Sequence, residues 1–320
     1  MSGTGLILDP VFKTHDTGPH HPERPARIDA IIEALTTAGL VDRCVRLAAA
    51  AADPEELLAN HDRAYLERLH RYCVAGESHI DCADSAICPR SYDIALLAAG
   101  GVLDATERVA SGELTNAFCA VRPPGHHAER HVSMGFCLFN NVAVAARRLL
   151  DRHGVERVLI FDFDVHHGNG TQHSFEEDPR VFFCSVHGHP ATLYPGTGYA
   201  EERGRGAGEG TTLNLPMMPG SGDAEYRAAY EEQFAPAAKA FQPQFILISA
   251  GFDAHRRDPL GNVRLESSSF EWLTRRTLEL ADDLCGGRVV SVLEGGYDLS
   301  ALGECTCAHV GELPAAAGRA

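Results

Sequence analysis

One stretch, Val158-Leu-Ile-Phe-Asp-Phe-Asp-Val-His-His-Gly-Asn-Gly-Thr-Gln172, constrains the fold of this chain more than any other. It opens as an apolar run of strand-forming residues and passes abruptly into acids, histidines and glycines. A strand without polar alternation is one buried on both faces, as in a parallel sheet covered by helices. In such sheets ligands gather beyond the carboxyl ends of the strands, which is where this stretch carries its polar residues. Side chains two apart on a strand share a face, so Asp164 and His166 can converge on one ion. A lone Asp-x-His is more often a satisfied buried carboxylate beside solvated histidines. Here Asp162, Asp164, His166 and His167 fall within six positions, and that crowding favours a metal.

The rest of the chain fits that frame. Ile28, Ile31, Ile32 and Leu35 recur at helical spacing up to Gly39, after an extended His20-His-Pro-Glu-Arg-Pro25. A second helical pattern holds Tyr65, Leu66, Leu69, Tyr72 and Cys73, and residues 76–89 read as a loop. A closely packed helix is expected from Ser91 to about Val109. Thereafter strands (Asn116–Val121, Arg157–Phe163, Val181–Val186, Phe245–Ser249, Arg288–Leu293) alternate with helices (Val142–Arg152, Tyr226–Phe241 bent at Pro236, Phe270–Leu284). This order implies right-handed crossovers and an α/β fold: a parallel sheet flanked by helices on both faces. With no repeat, linker or composition break, one domain over residues 1–320 is the simplest account.

Composition narrows the partners. The chain carries 44 acidic against 28 basic residues, a formal charge of -16, which repels phosphate backbones and argues against direct nucleic-acid binding. Met1-Ser-Gly-Thr-Gly-Leu-Ile-Leu-Asp-Pro10 lacks the basic start and apolar core of a secretory leader, and no run reaches membrane-spanning length. A cytoplasmic protein without membrane contact is expected. The ten cysteines are scattered, several (Cys119, Cys137, Cys184) in or beside core segments, as in reduced thiols rather than a disulfide framework. Cys305-Thr-Cys307 is too close-spaced and isolated to be a zinc ligand set.

Four segments leave the framework in one way, apolar strand first and polar cluster next: Arg122-Pro-Pro-Gly-His-His127, the opening stretch, Ala250-Gly-Phe-Asp253 and Glu294-Gly-Gly-Tyr297. In a parallel sheet their polar ends should meet. Together with Gly135-Phe-Cys137 and Tyr194-Pro-Gly-Thr-Gly198, these motifs resemble the zinc-dependent histone deacetylase family, in the form of its class II branch and the bacterial deacetylase-like amidohydrolases. The resemblance runs from His-Pro-Glu-Arg-Pro to beyond Tyr297, in family order, and implies an arginase/deacetylase-like fold.

The resemblance implies Asp164, His166 and Asp253 as zinc ligands, a set whose two carboxylates and one imidazole leave room for water and substrate. It implies His127 as the base towards the attacking water and later the acid towards the leaving amine. His126 becomes its electrostatic partner, oriented by Asp162, whose carboxylate favours the cationic imidazole. Asn169 stands where class I members carry a second buried Asp; it can orient His127 but adds no charge, leaving that imidazole less basic. Tyr297 would stabilise the oxyanion. Class IIa relatives often have His there and little activity, so the tyrosine favours a competent enzyme.

Substrate walls are implied at Gly135 and Phe136 and, across from them, at Leu193 or Tyr194, where one of the family's usual two aromatics is missing. Asp162, Asp164, His166, Ser185 and Val186 match positions that bind a structural monovalent cation, such as K+, in relatives. The expected substrate is an acetylated lysine peptide or a small acylated amine. Polyamine deacetylases of the superfamily place a Glu after the Asp-Pro that follows the third ligand. Asp258-Pro259 is followed here by Leu260, which favours acyl-lysine, although the acidic surface argues mildly for a polycation. A catalytically silent acyl-lysine reader and an arginase-like dimanganese hydrolase are the contrasting classes; the latter needs more carboxylates than these clusters offer. A homo-oligomer is compatible with everything above.

Overall fold

The computed structural model describes residues 3–317. Eight strands form one sheet in the order β2-β1-β3-β8-β7-β4-β5-β6, every neighbouring pair parallel. The strands are β1 (Gly3–Leu8), β2 (Val45–Leu47), β3 (Leu114–Ala120), β4 (Val158–Asp162), β5 (Val181–Gly188), β6 (Thr212–Met217), β7 (Phe245–Ala250) and β8 (Val289–Leu293). The helices are α1 (Ala26–Thr37), α2 (Pro54–Leu57), α3 (Arg63–Ala75), α4 (Ser91–Ala110), α5 (Asn141–Arg152), α6 (Asn169–Phe175), α7 (Asp223–Ala229), α8 (Ala235–Phe241), α9 (Ser267–Cys285) and α10 (Leu299–Ala317).

The alternation of side chains along each strand supplies both cores. Leu159 and Phe161 of β4 point into an apolar cluster with Ile31 of α1, Phe270 of α9 and Leu302 of α10. Val158 and Ile160 point the other way, onto Ile94 of α4 and Val142 of α5. Phe161 is wholly buried and stacks on Phe234 at 4.3 Å between ring centroids, so truncation to alanine is expected to cost about 3–5 kcal/mol. A smaller cluster under α3 gathers Tyr65, Leu69, Leu138 and Phe139 beside the loop at residues 76–89, which has little regular structure.

The five strands expected from the sequence are present within a few residues of their expected ends, and β1, β2 and β6 are additions. All three lie at or next to the sheet edges. β6 contains Pro216, tolerable because it has β5 on one side only. The expected helix from Tyr226 to Phe241 is broken into α7 and α8 by a widened π-helical turn, Tyr230–Phe234. Pro236 has no N–H to offer the carbonyl four residues back, which favours the wider turn just before it. Three helices were not expected: α2, a single short turn; α6, inside the opening stretch; and α10, whose Gly303, Gly311 and Pro314 give it weak intrinsic propensity. Packing against α1 and α9 sustains α10.

The four strands that carry polar clusters are neighbours at the centre of the sheet, β3-β8-β7-β4. Their carboxyl ends therefore open onto one crevice.

Candidate active site and metal centre

Side chains of Asp164, His166 and Asp253 each bring a ligand-type atom within 4.8 Å of the others, and all three are buried. His166 Nδ1 lies 3.2 Å from Asp164 Oδ1 and 3.0 Å from Asp253 Oδ2. Backbone amides hold the carboxylates from behind: Gly295 N–H donates to Asp164 Oδ2 (2.8 Å) and Val165 N–H to Asp253 Oδ1 (2.8 Å). Two glycines make room. A Cβ at Gly251 would stand 2.1 Å from Asp164 Oδ2, and one at Gly295 would stand 2.0 Å from Asp253 Oδ2. Two carboxylates and an imidazole, buried and already oriented, suit a divalent ion such as Zn2+, which would hold all three in their deprotonated forms. A second group, His126, Cys137 and Glu294, is equally compact. Burial pushes the Cys137 thiol well up, however, and a protonated thiol is a poor ligand.

The paired histidines divide by charge. His126 Nδ1–H donates to Asp162 Oδ2 at 2.9 Å. Burial alone would lower its pKa, but the carboxylates of Asp162, Asp164 and Glu294 outweigh that and raise it to about 10. His127 is pushed well below the ordinary imidazole value by burial, with the charges of His126 and His166 acting in the same direction. The two rings lie 4.0 Å apart between centroids and are shifted in opposite directions. His127 Nδ1–H donates to Asn169 Oδ1 at 2.8 Å, which leaves Nε2 as the free basic nitrogen.

Above the cluster lies a cavity of about 230 Å3 lined by Asp84, His127, Gly135, Phe136, His166, Leu193, Tyr194, Leu260 and Tyr297. All five residues expected to contact substrate are among them. Phe136 stands at φ +67°, where a bulky side chain costs about 1–3 kcal/mol, and its ring meets Tyr297 edge-on at 5.8 Å. Gly135, at φ +56°, passes so close to His127 that a Cβ would lie 2.2 Å from its Cδ2. Opposite, Tyr194 meets the His127 ring edge-on at 5.2 Å while Leu193 lies beside it, so the two share the second wall. Burial, then the charges of Asp253 and Asp164, raise Tyr297 well above the ordinary phenol value, so its hydroxyl stays a neutral donor.

The residues matched to a monovalent cation are placed side by side: Asp162 of β4 faces Ser185 of β5 in register, with Val186 next along. The Ser185 hydroxyl is hydrogen-bonded to His187 Nδ1 at 2.8 Å.

Several supporting residues escaped sequence reasoning. Glu294 Oε2 accepts from the amides of Gly125 and His126 (2.7 and 3.1 Å), fixing the histidine loop. Glu23, in the proline-rich segment, is wholly buried and pairs with both Arg122 and Arg27. Arg27 in turn donates to the Gly296 carbonyl at 2.8 Å and lies over the Tyr297 ring. Asp258 Oδ2 accepts from the Tyr297 amide at 2.6 Å. The signal available was a set of charged residues in proline- and glycine-rich segments that had no helix or surface role.

A histone deacetylase domain model matches residues 21–313. A probable deacetylase of Archaeoglobus fulgidus is 41% identical over 317 residues, covering 98% of this chain and 86% of that protein. The human polyamine deacetylase HDAC10 is 40% identical over 300 residues, covering 91% of this chain and 44% of that protein. Among solved structures, the HDA15 HD domain superposes with a TM-score of 0.93 at 38% identity, covering 98% of this chain and 88% of that one.

Proposed function

The chain belongs to the histone deacetylase family, and from that premise we propose that it hydrolyses the acetyl, or a related acyl, amide of a lysine side chain. The observation that carries this reading is geometric: His126, bonded to Asp162, and His127, bonded to Asn169, flank the Asp164–His166–Asp253 cluster beside an apolar-walled cavity.

Zn2+ held by Asp164, His166 and Asp253 would supply Lewis-acid activation of water and of the acyl carbonyl. The chain's own groups do the rest. Phe136, Leu193 and Tyr194 hold the alkyl stem of the substrate and exclude water. His127 Nε2 takes a proton from the attacking water and returns one to the departing amine, so the amide C–N bond is exchanged for carboxylate and free amine. His126 stays protonated through its bond to Asp162 and balances charge developing beside it. The Tyr297 hydroxyl donates to the oxyanion, a bond worth about 2.7–4 kcal/mol in comparable sites. A structural K+ near Asp162, Ser185 and Val186 belongs to the same proposal.

The polyamine reading rests on a formal charge of -16 and on Asp84 in the cavity lining. Leu260 on the wall favours an apolar stem and an acyl-lysine peptide instead. The deciding experiment is a panel of acetyl-lysine peptides, longer acyl-lysines and acetylpolyamines on the zinc-loaded protein, with and without chelator. Zinc-dependent turnover led by the peptides is expected. Stoichiometric zinc without turnover of any amide would leave a silent acyl-lysine reader, and two manganese ions per chain would point to the arginase-like chemistry.

A further inference from the structure

We infer that Glu129 is a positioning residue for His127, acting through Asn169. This rests on His127 being the base proposed above. The Asn169 Oδ1 faces His127 Nδ1 at 2.8 Å, and its Nδ2 donates most closely to Glu129 Oε1 at 2.6 Å, with the His127 carbonyl at 3.4 Å and Met134 Sδ at 3.3 Å as longer contacts. An amide alone is ambiguous, because either end can be turned towards an imidazole. Glu129 is the short, charged contact that removes the ambiguity, since a carboxylate only accepts hydrogen bonds and so must face the NH2 end; the His127 carbonyl at 3.4 Å favours the same orientation more weakly. That forces Oδ1 towards His127, which forces the proton onto Nδ1 and leaves Nε2 bare on the cavity side. The tautomer of the base is therefore set two residues away from it in the hydrogen-bond chain.

Glu129 also restores the charge that Asn169 lacks, placed one hydrogen bond further out. Its backbone is fixed independently of this role: its carbonyl accepts from His61 Nδ1 at 2.9 Å, and its N–H donates to the Val132 carbonyl at 2.9 Å. The same Oε1 accepts from His173 Nδ1 at 2.7 Å. Asn169 and His173 lie four apart on α6, one turn of helix, so both reach the same carboxylate. The Glu129 side chain is 19% exposed and that of His173 44%. The relay thus runs from the buried base to solvent as His127, Asn169, Glu129 and His173.

The test replaces Glu129 by Gln, which keeps size but can present either amide end to Asn169. Zinc content and melting temperature should stay at wild-type levels, KM should change less than about twofold, and kcat should fall about tenfold, as for loss of outer partners that orient a site. Asn169→Ala with Glu129→Gln should be no worse than Asn169→Ala alone, since both break one relay. In protein labelled with 15N-histidine, the slowly exchanging Nδ1–H proton of His127 should be lost in Glu129→Gln. Wild-type kcat together with a retained Nδ1–H signal would overturn the inference, as would full additivity of the two substitutions. If the wild-type protein hydrolyses no acyl amide, the base assignment fails, and the histidine spectrum still decides whether Glu129 sets the tautomer. Should Glu129→Gln fold poorly, Glu129→Leu read by the same spectrum replaces it.

Discussion

Replacing Gly295 by alanine should damage the metal centre while touching no ligand. Gly295 follows β8 without a positive φ, so alanine is compatible with its backbone, and only space is at issue. Its new Cβ would lie 2.0 Å from Asp253 Oδ2 and 2.7 Å from Asp164 Oδ2. Against an ordinary carbon–oxygen contact of about 3.3 Å, the Asp253 carboxylate is short of room by about 1.3 Å. Retreat of that size would break its 2.8 Å bond from Val165 N–H and pull Oδ2 away from His166. Forcing a methyl into a packed site costs about 1–3 kcal/mol. Loss of ligand orientation is expected to weaken zinc binding about 10–100-fold. The assay is competition for Zn2+ against a fluorescent chelator, with thermal melting in EDTA read separately to isolate the packing cost. Gly311→Ala in α10 is the control, because a Cβ there meets nothing within 4 Å; it should leave zinc affinity unchanged and raise the melting temperature slightly. Wild-type zinc affinity in Gly295→Ala would refute the claim that these glycines exist to admit the carboxylates.

Further expectations concern single side chains. Tyr297→Phe should keep its zinc while kcat falls about 10²–10³-fold, and near-normal turnover would remove its oxyanion role. Leu260→Glu should raise kcat/KM for acetylpolyamines relative to acetyl-lysine peptides; an unchanged ranking would discard the wall residue as a selector. His309 of α10 is wholly buried between Thr274 Oγ1 (2.6 Å) and Ser291 Oγ (2.8 Å), and burial pushes its pKa down to about 3. The unfolded chain therefore binds this proton first as pH falls, so stability is full above about 6.5 and is lost towards 3. His309→Gln should lose some stability at neutral pH but flatten the decline of melting temperature between pH 6.5 and 4, by a slope of about 1.4 kcal/mol per pH unit. A decline as steep as wild type would show that other groups carry it.

Much of the architecture was legible because it is encoded locally. The apolar runs at Val158–Phe161 and Phe245–Ser249 announce strands buried on both faces, and both are wholly buried in the sheet. The placement of Asp164, Asp253, His126 and Tyr297 just past strand ends followed from the same pattern. β1 and α10 were missed because glycine-rich runs give little periodicity, and packing decides them. α6 was missed because a short helix inside a motif rich in glycine has no apolar stripe of its own.

The sequence by itself determined a parallel α/β framework, the strand ends at which chemistry gathers, and the residue types gathered there. It did so because side-chain alternation and turn residues act over a few positions. Only the tertiary structure decided which ends meet. β8 inserts between β3 and β7, and this brings Gly295 against Asp164, 131 residues away in the chain. The three-dimensional arrangement also gave partners to the buried charges: Glu23 to Arg122 and Asp258 to the Tyr297 amide. A buried charge is tolerable only when paired, and its pair is chosen by proximity in space, which no local pattern of residues records.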